Sequence, residues 1–207
     1  MQNSRFGIFS NDKLFLAFSA VDVAIGLFMG VLCFINKDID FVIVPFIAVL
    51  ALCLYLSYKD HQKNVMKGLM GASLMWLFAE ETEYVKAIAF YDKDYYTAAF
   101  GDQYKTFLGV KIITVILIFS VFVFHFLINS EHHSSPFEVG ANKFLSIAIA
   151  AAYAADMVFT GVCTGKFATI MVCYCLFKIF LMLMVVCVEA KLDIFRLKRE
   201  ENGWTEE

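Results

Sequence analysis

Asp22, Asp156 and Lys178 stand inside long apolar runs, and Glu80 and Lys111 stand near the ends of two others. In lipid such side chains pair with one another, exchange a proton or meet a cation. A lone charge at the bilayer centre costs at least about 2.5–3.5 kcal/mol. If each run is a straight helix, Asp22 lies about 12 Å and Lys178 about 13 Å above the inner hydrocarbon edge, with Asp156 somewhat higher near the midplane. These depths predict an Asp22–Lys178 pair, with Asp156 competing for the same ammonium. Glu80 and Lys111 come to about 24 and 22 Å, which predicts a second pair nearer the outer face.

The neighbours of these residues suggest where they point. Ala148, Ala152, Asp156 and Thr160 recur every four residues, so Asp156 shares a face with small side chains that allow close helix packing. Asp22, Gly26 and Gly30 are co-facial in the same way, with Ala20 and Ala24 on a small stripe of their own.

Residues 76–91 read WLFAEETEYVKAIAFY. Glu80 and Glu83 share a stripe with Tyr84 beside it, whereas Glu81 points elsewhere. Glu80 is read as held inside the protein, and Glu81 and Glu83 as the helix's exit from lipid. The apolar run that resumes after the acids predicts an interfacial or re-entrant continuation. Residues 84–104 hold Tyr84, Tyr91, Tyr95, Tyr96 and Tyr104, an aromatic belt at headgroup level. With Glu81, Glu83, Asp92, Asp94 and Asp102 it makes an acidic outer vestibule that gathers cations. No calcium-loop order of ligands is present, and no metal site or cofactor is assigned.

The elements that must position these groups are helices. The chain of 207 residues is 60% hydrophobic and 18% charged, with a mean hydropathy of +0.70. That balance excludes an ordinary soluble domain. The apolar runs are continuous instead of alternating, which argues against a β-barrel. Six runs approach the length of about 20 residues needed to cross a bilayer. They fall at 14–35, 41–58, 65–83, 107–127, 144–163 and 167–188. The first is too long for a signal-peptide core and is read as a retained helix. With the N-terminus inside, interior segments hold ten Lys and Arg against five outside, so both termini are expected in the cytoplasm. The expected fold is therefore all-α, a compact six-span membrane bundle forming one domain over 1–207. Segment 84–106 lies outside, and 189–207 forms a cytoplasmic helical tail whose basic side meets the inner leaflet.

Several functions find no support. There is no His-x-x-x-His, no serine beside a membrane-facing histidine and no Gly-rich phosphate loop, so no catalytic residues are assigned. The six cysteines read as buried small hydrophobes, with one disulfide, Cys33 to Cys163, open on geometry. His132 and His133 read as a solvated loop, with His125 near the inner end of the fourth span. The short basic run in the tail, mixed with acids, does not fit nucleic acid.

Two readings remain. In the first, a small channel or transporter of the plasma or cytoplasmic membrane moves a proton or monovalent cation along Glu80, Asp156 and Asp22, with Lys111 and Lys178 as counter-charges. In the second, a non-conducting assembly or signalling protein uses the same charges as glue. Both expect contact with membrane lipids and a homo-oligomer. Conduction predicts acids lining a hydrated space, and glue predicts direct, dry pairs.

Overall fold

The computed structural model describes residues 11–35, 52–53, 55–57, 63–130, 136–164 and 169–201. Most of the 41–58 run, the His132–His133 loop and the last residues of the tail lie outside them.

Among the described residues every regular element is helical. Helix α1 runs Asp12–Ile35, α2 Lys63–Lys86, α3 Lys93–Phe100, α4 Tyr104–Ser130, α5 Pro136–Thr164 and α6 Thr169–Glu201. A π-helical turn, Ala87–Tyr91, joins α2 to α3, and a 3₁₀ turn, Gly101–Gln103, joins α3 to α4. The five long helices coincide with apolar runs but outlast most of them, because polar residues continue the helix beyond the hydrocarbon. Asn11 caps α1, its Oδ1 accepting the Lys13 N–H at 2.9 Å. Pro136 opens α5, where a missing N–H costs nothing. Helix α6 carries on past Val188 to Glu201 and so takes in the start of the tail.

Helix α6 is the hub. It packs against α1, α5 and α2, while α4 lies between α2 and α5. Of its membrane-length stretch 56% is buried, against 33% for α1 and 28% for α5. The core where these helices meet includes Phe15, Met70, Leu74, Leu77, Ile118, Val121, Tyr153, Met182 and Val185. Its methionines fill the irregular spaces between ridges.

Burial is inverted relative to a water-soluble protein. Leu27, Phe28, Val31, Ile113, Ile116, Phe119 and Val162 point outward, while Glu81, Lys111, Lys178 and Glu189 are buried. Side-chain hydroxyls on the helices turn back to their own backbone, as Ser19 does to Phe15 O and Ser73 to Leu69 O, both at 2.9 Å. Only a lipid surroundings makes this arrangement favourable, since exposed apolar side chains cost nothing there and unmatched polar groups cost several kcal/mol. Among the described residues four stretches, Asp12–Leu32, Lys93–Ile128, Phe137–Cys163 and Met171–Lys191, are long and apolar enough to cross a membrane. The chain is a multi-pass, all-helical integral membrane protein.

One backbone position demands glycine. Gly101 has φ 52° and ψ −127°, a combination that L side chains rarely adopt, and it ends α3 so that the chain can turn into α4. Gly101→Ala is expected to cost about 1–3 kcal/mol. Nothing stands within 4 Å of the position, so a thermal unfolding curve of this variant reads backbone strain without a steric contribution.

Candidate functional site

Three acids and two lysines meet where α2, α4, α5 and α6 converge. Lys178 of α6 places Nζ 2.5 Å from Glu81 Oε1 and 2.7 Å from Glu80 Oε2. Lys111 of α4 places Nζ 2.5 Å from Asp156 Oδ2 on α5 and 3.8 Å from Glu81 Oε2. The five groups form one chain of alternating sign: Asp156, Lys111, Glu81, Lys178, Glu80. Glu81 is the bridge, one oxygen towards each lysine, and has no exposed surface. Exposure rises only at the two acidic ends, to 11% for Asp156 and 21% for Glu80.

Aromatic rings enclose the ammoniums. Lys111 Nζ lies 4.8 Å from the Tyr84 ring centre, and Lys178 Nζ lies 4.3 Å from that of Tyr174. The Tyr153 ring sits between them, 6.0 and 5.3 Å from the two nitrogens. Such faces offset part of the lost hydration of a cation. Neither the buried Tyr153 hydroxyl nor Glu81 Oε2 completes a hydrogen bond among the described residues.

The two predicted pairs do not form. Side chains on a helix lean towards its N-terminus. Helices α1 and α6 run antiparallel, so Asp22 leans towards the end of the bundle marked by Asp12 and Lys191, while Lys178 leans away from it. Lys178 therefore reaches Glu80 and Glu81, which lean down from α2, and Asp156 takes Lys111. Glu80 pairs with Lys178 instead of Lys111. Asp22 is fully buried, and neither of its carboxylate oxygens has a partner among the described residues. It occupies a buried stripe of α1 with Phe15, Ser19, Gly26 and Met29.

Glu81 is the largest correction. Expected to mark the exit from lipid, it is instead the centre of the site. The trace in the sequence is weak, because other faces of α2 are apolar too: Met70, Leu74, Leu77 and Glu81 follow one another at spacings of four, three and four, the one face that the structure buries. The other acids expected in the vestibule behave differently. Glu83 is exposed and pairs with Lys86 at 2.6 Å, and Asp92, Asp94 and Asp102 are exposed. A layer of rings separates them from the charge chain. Phe100 stacks on Phe107 at 4.1 Å, and Tyr96 and Phe159 extend the stack. Tyr104 donates its hydroxyl to Ile88 O at 3.0 Å and so meets a carbonyl within the π-helical turn.

A second polar cluster lies towards the Asp12–Lys191 end. His125 of α4 has Nδ1 2.8 Å from Glu189 Oε1 on α6 and Nε2 3.0 Å from Lys67 O on α2. Asn142 of α5 donates to the same Glu189 oxygen at 3.3 Å. Both ring nitrogens face oxygens, so the ring ties α4 to α6 through Nδ1 and to α2 through Nε2. Gly71 permits the approach, since a Cβ there would lie 3.2 Å from Phe126 Cζ. Sequence reading named His125 but missed Glu189, which falls on the buried α6 stripe Lys178, Met182, Val185, Glu189. Along α6 this cluster is about 16 Å from Lys178. Leu74, Ile118, Val121, Met182 and Val185 fill the interval. At the same end Lys191 meets Asp12 at 2.6 Å and joins α6 to α1.

Cys163, Cys173, Cys175 and Cys187 are free, and the Cys33 side chain lies outside the described residues. No metal-binding group of His, Cys, Asp and Glu occurs among the described residues. The site is thus a polar network inside the membrane, made of direct ion pairs and shielded at one end by stacked rings. Compared with protein families, with curated proteins and with solved structures, the chain has no match.

Proposed function

We propose that the protein is a small channel or transporter that moves a proton or monovalent cation through its intramembrane carboxylates. The observation that carries this reading is the charge count of the buried chain. Asp156, Glu81 and Glu80 face only Lys111 and Lys178, which leaves one carboxylate in excess where an unbalanced charge is costly. A proton or cation removes the excess. Asp22, buried without a partner, provides a second place for one about 5 Å nearer the inner end, and exposed Glu83, Asp92, Asp94 and Asp102 form the outer vestibule. The ring layer and the apolar interval between the two clusters correspond to a closed pathway.

The same reading places six spans in one domain of a plasma or cytoplasmic membrane, with both termini in the cytoplasm, 84–106 outside, 189–207 as the tail, and a homo-oligomer as the working form. The Lys191–Asp12 pair supports it by setting the start of α1 and the far part of α6 at one level. The His125 bonds set Lys67, near the start of α2, close to that level too. A chain that leaves α1 at one end and begins α2 at the other fits a crossing over 41–58.

The test is ion flux in proteoliposomes under an imposed potential, taking proton, sodium, potassium and chloride in turn. Glu81→Gln leaves two carboxylates facing two ammoniums, so it is expected to stay folded while flux falls about tenfold or more. Asp156→Asn and Asp22→Asn are its companions. Absence of flux with every ion, in a protein that is assembled, would end the conduction reading.

A second reading has its own support. The charges meet in direct pairs, which suits a non-conducting assembly or signalling protein whose charges fix helix register. It expects no flux, and loss of the oligomer when Lys111 or Lys178 is replaced.

A further inference from the structure

A groove of about 670 Å³ opens between α4 and α5 at the level of the Asp156–Lys111 pair. That volume is within the range of small-molecule sites. Phe107 and Phe159 line it, Val110 and Val158 form exposed flanks, Ala155 leaves the space open, and Asp156 lies in the wall. The lining is otherwise almost wholly apolar, and the flanks face the lipid side of the bundle.

The chemistry of this wall selects its occupant. Asp156 is one acidic end of a charge chain that holds one carboxylate more than it holds ammonium groups, and it retains 11% exposure beyond its bond to Lys111. An anion is repelled by that excess. A bare metal ion would find one carboxylate and no set of oxygens to replace its water. An uncharged acyl chain would cover the apolar flanks but offer no donor to the part of the carboxylate still exposed beyond its bond to Lys111. An ammonium group on an apolar body satisfies both, its N–H groups donating to Asp156 and its body lying on Val110, Ala155 and Val158.

We propose that this groove is a binding site for lipophilic monocations that enter from the lipid phase, with Asp156 as the anionic anchor. The site shares the excess carboxylate with the ion-movement reading but does not require ion movement.

The probe is decylamine, compared with decanol, in equilibrium binding to the full chain in nanodiscs of zwitterionic lipid, with empty nanodiscs subtracted. Saturable decylamine binding is expected to be about tenfold or more tighter than decanol binding, as a buried charge-assisted bond implies. Asp156→Asn is expected to bring the amine to the level of the alcohol. Ala155→Trp fills the groove without altering the charge chain and is expected to remove both, which keeps a readout if Asp156→Asn does not fold. Equal binding of amine and alcohol would overturn the proposal, as would amine binding that Ala155→Trp leaves intact. A tightly held lipid or second copy that decylamine does not displace would overturn it too. Binding is measured without an ion gradient, so failure here leaves the flux result standing, and failure of flux leaves this result standing.

Discussion

Lys178→Met is expected to destabilise the folded protein by about 3–5 kcal/mol, the range seen when one partner of a buried ion pair is removed. Lys178 is the sole cation within reach of Glu80 among the described residues, and the closer of the two that serve Glu81. Without it three carboxylates face Lys111 alone, and Glu81 at the centre has no exposed surface. Methionine keeps the volume of the stem, so the change reports charge instead of a cavity. Unfolding in mixed micelles against a rising fraction of denaturing detergent measures the loss. A second substitution sharpens the result. Glu81→Gln in the Lys178→Met background returns the site to one excess carboxylate, the wild-type count, and part of the stability is expected to return. A Lys178→Met protein less than about 1 kcal/mol below wild type would mean that the pairs are exchanged for water at little cost, as exposed pairs are.

Glu189→Leu is expected to cost about 1.5–3 kcal/mol, the value of hydrogen bonds to a charged group. Its carboxylate receives His125 Nδ1 and Asn142 Nδ2, and so connects α6 to α4 and α5. Once it is gone, a neutral imidazole has one donor for the Lys67 carbonyl and Asn142 has lost its acceptor. The double substitution His125→Leu with Glu189→Leu is expected to lose less than the sum of the single ones, and a double-mutant cycle on unfolding midpoints measures that coupling. Strict additivity would show that the two side chains contribute separately, and would remove the reason to treat the inner cluster as a unit.

The two clusters also place limits on any pathway. They share α2, α4, α5 and α6, and the apolar interval between them, filled by Leu74, Ile118, Val121, Met182 and Val185, must open if anything passes. Asp22 is on α1 and lies to the side of that interval, and among the described residues it is the one buried carboxylate whose neutralisation leaves every described ion pair in place. Comparing flux in Asp22→Asn and Glu81→Gln therefore separates a route along α1 from one through the charge chain.

Much of the architecture was legible in the residues. Continuous apolar runs require helices in lipid, because a helix alone satisfies its own backbone in a single segment, and five of the runs coincide with the long helices described. The presence of buried charge was equally legible, since acids and lysines set in those runs have nowhere to go but inward. Pairing was not. Depth along a straight helix assigned Lys178 to Asp22 and Lys111 to Glu80. It omitted the lean of each side chain towards its own helix N-terminus, which sends Lys178 and Asp22 in opposite directions along two antiparallel helices. It also omitted rotation. Apolar residues surround α2 on nearly every side, so periodicity left its inward face undefined, and Glu81 was placed at the edge instead of the centre. Glu189 escaped for a related reason, lying close to Lys191 where a membrane exit was expected. The sequence by itself determined that this is a helical membrane protein carrying charge within its spans. Only the tertiary structure decided which charges meet, because a pair forms where helix order, rotation and direction bring two side chains within about 3 Å, and none of these is a property of a single segment.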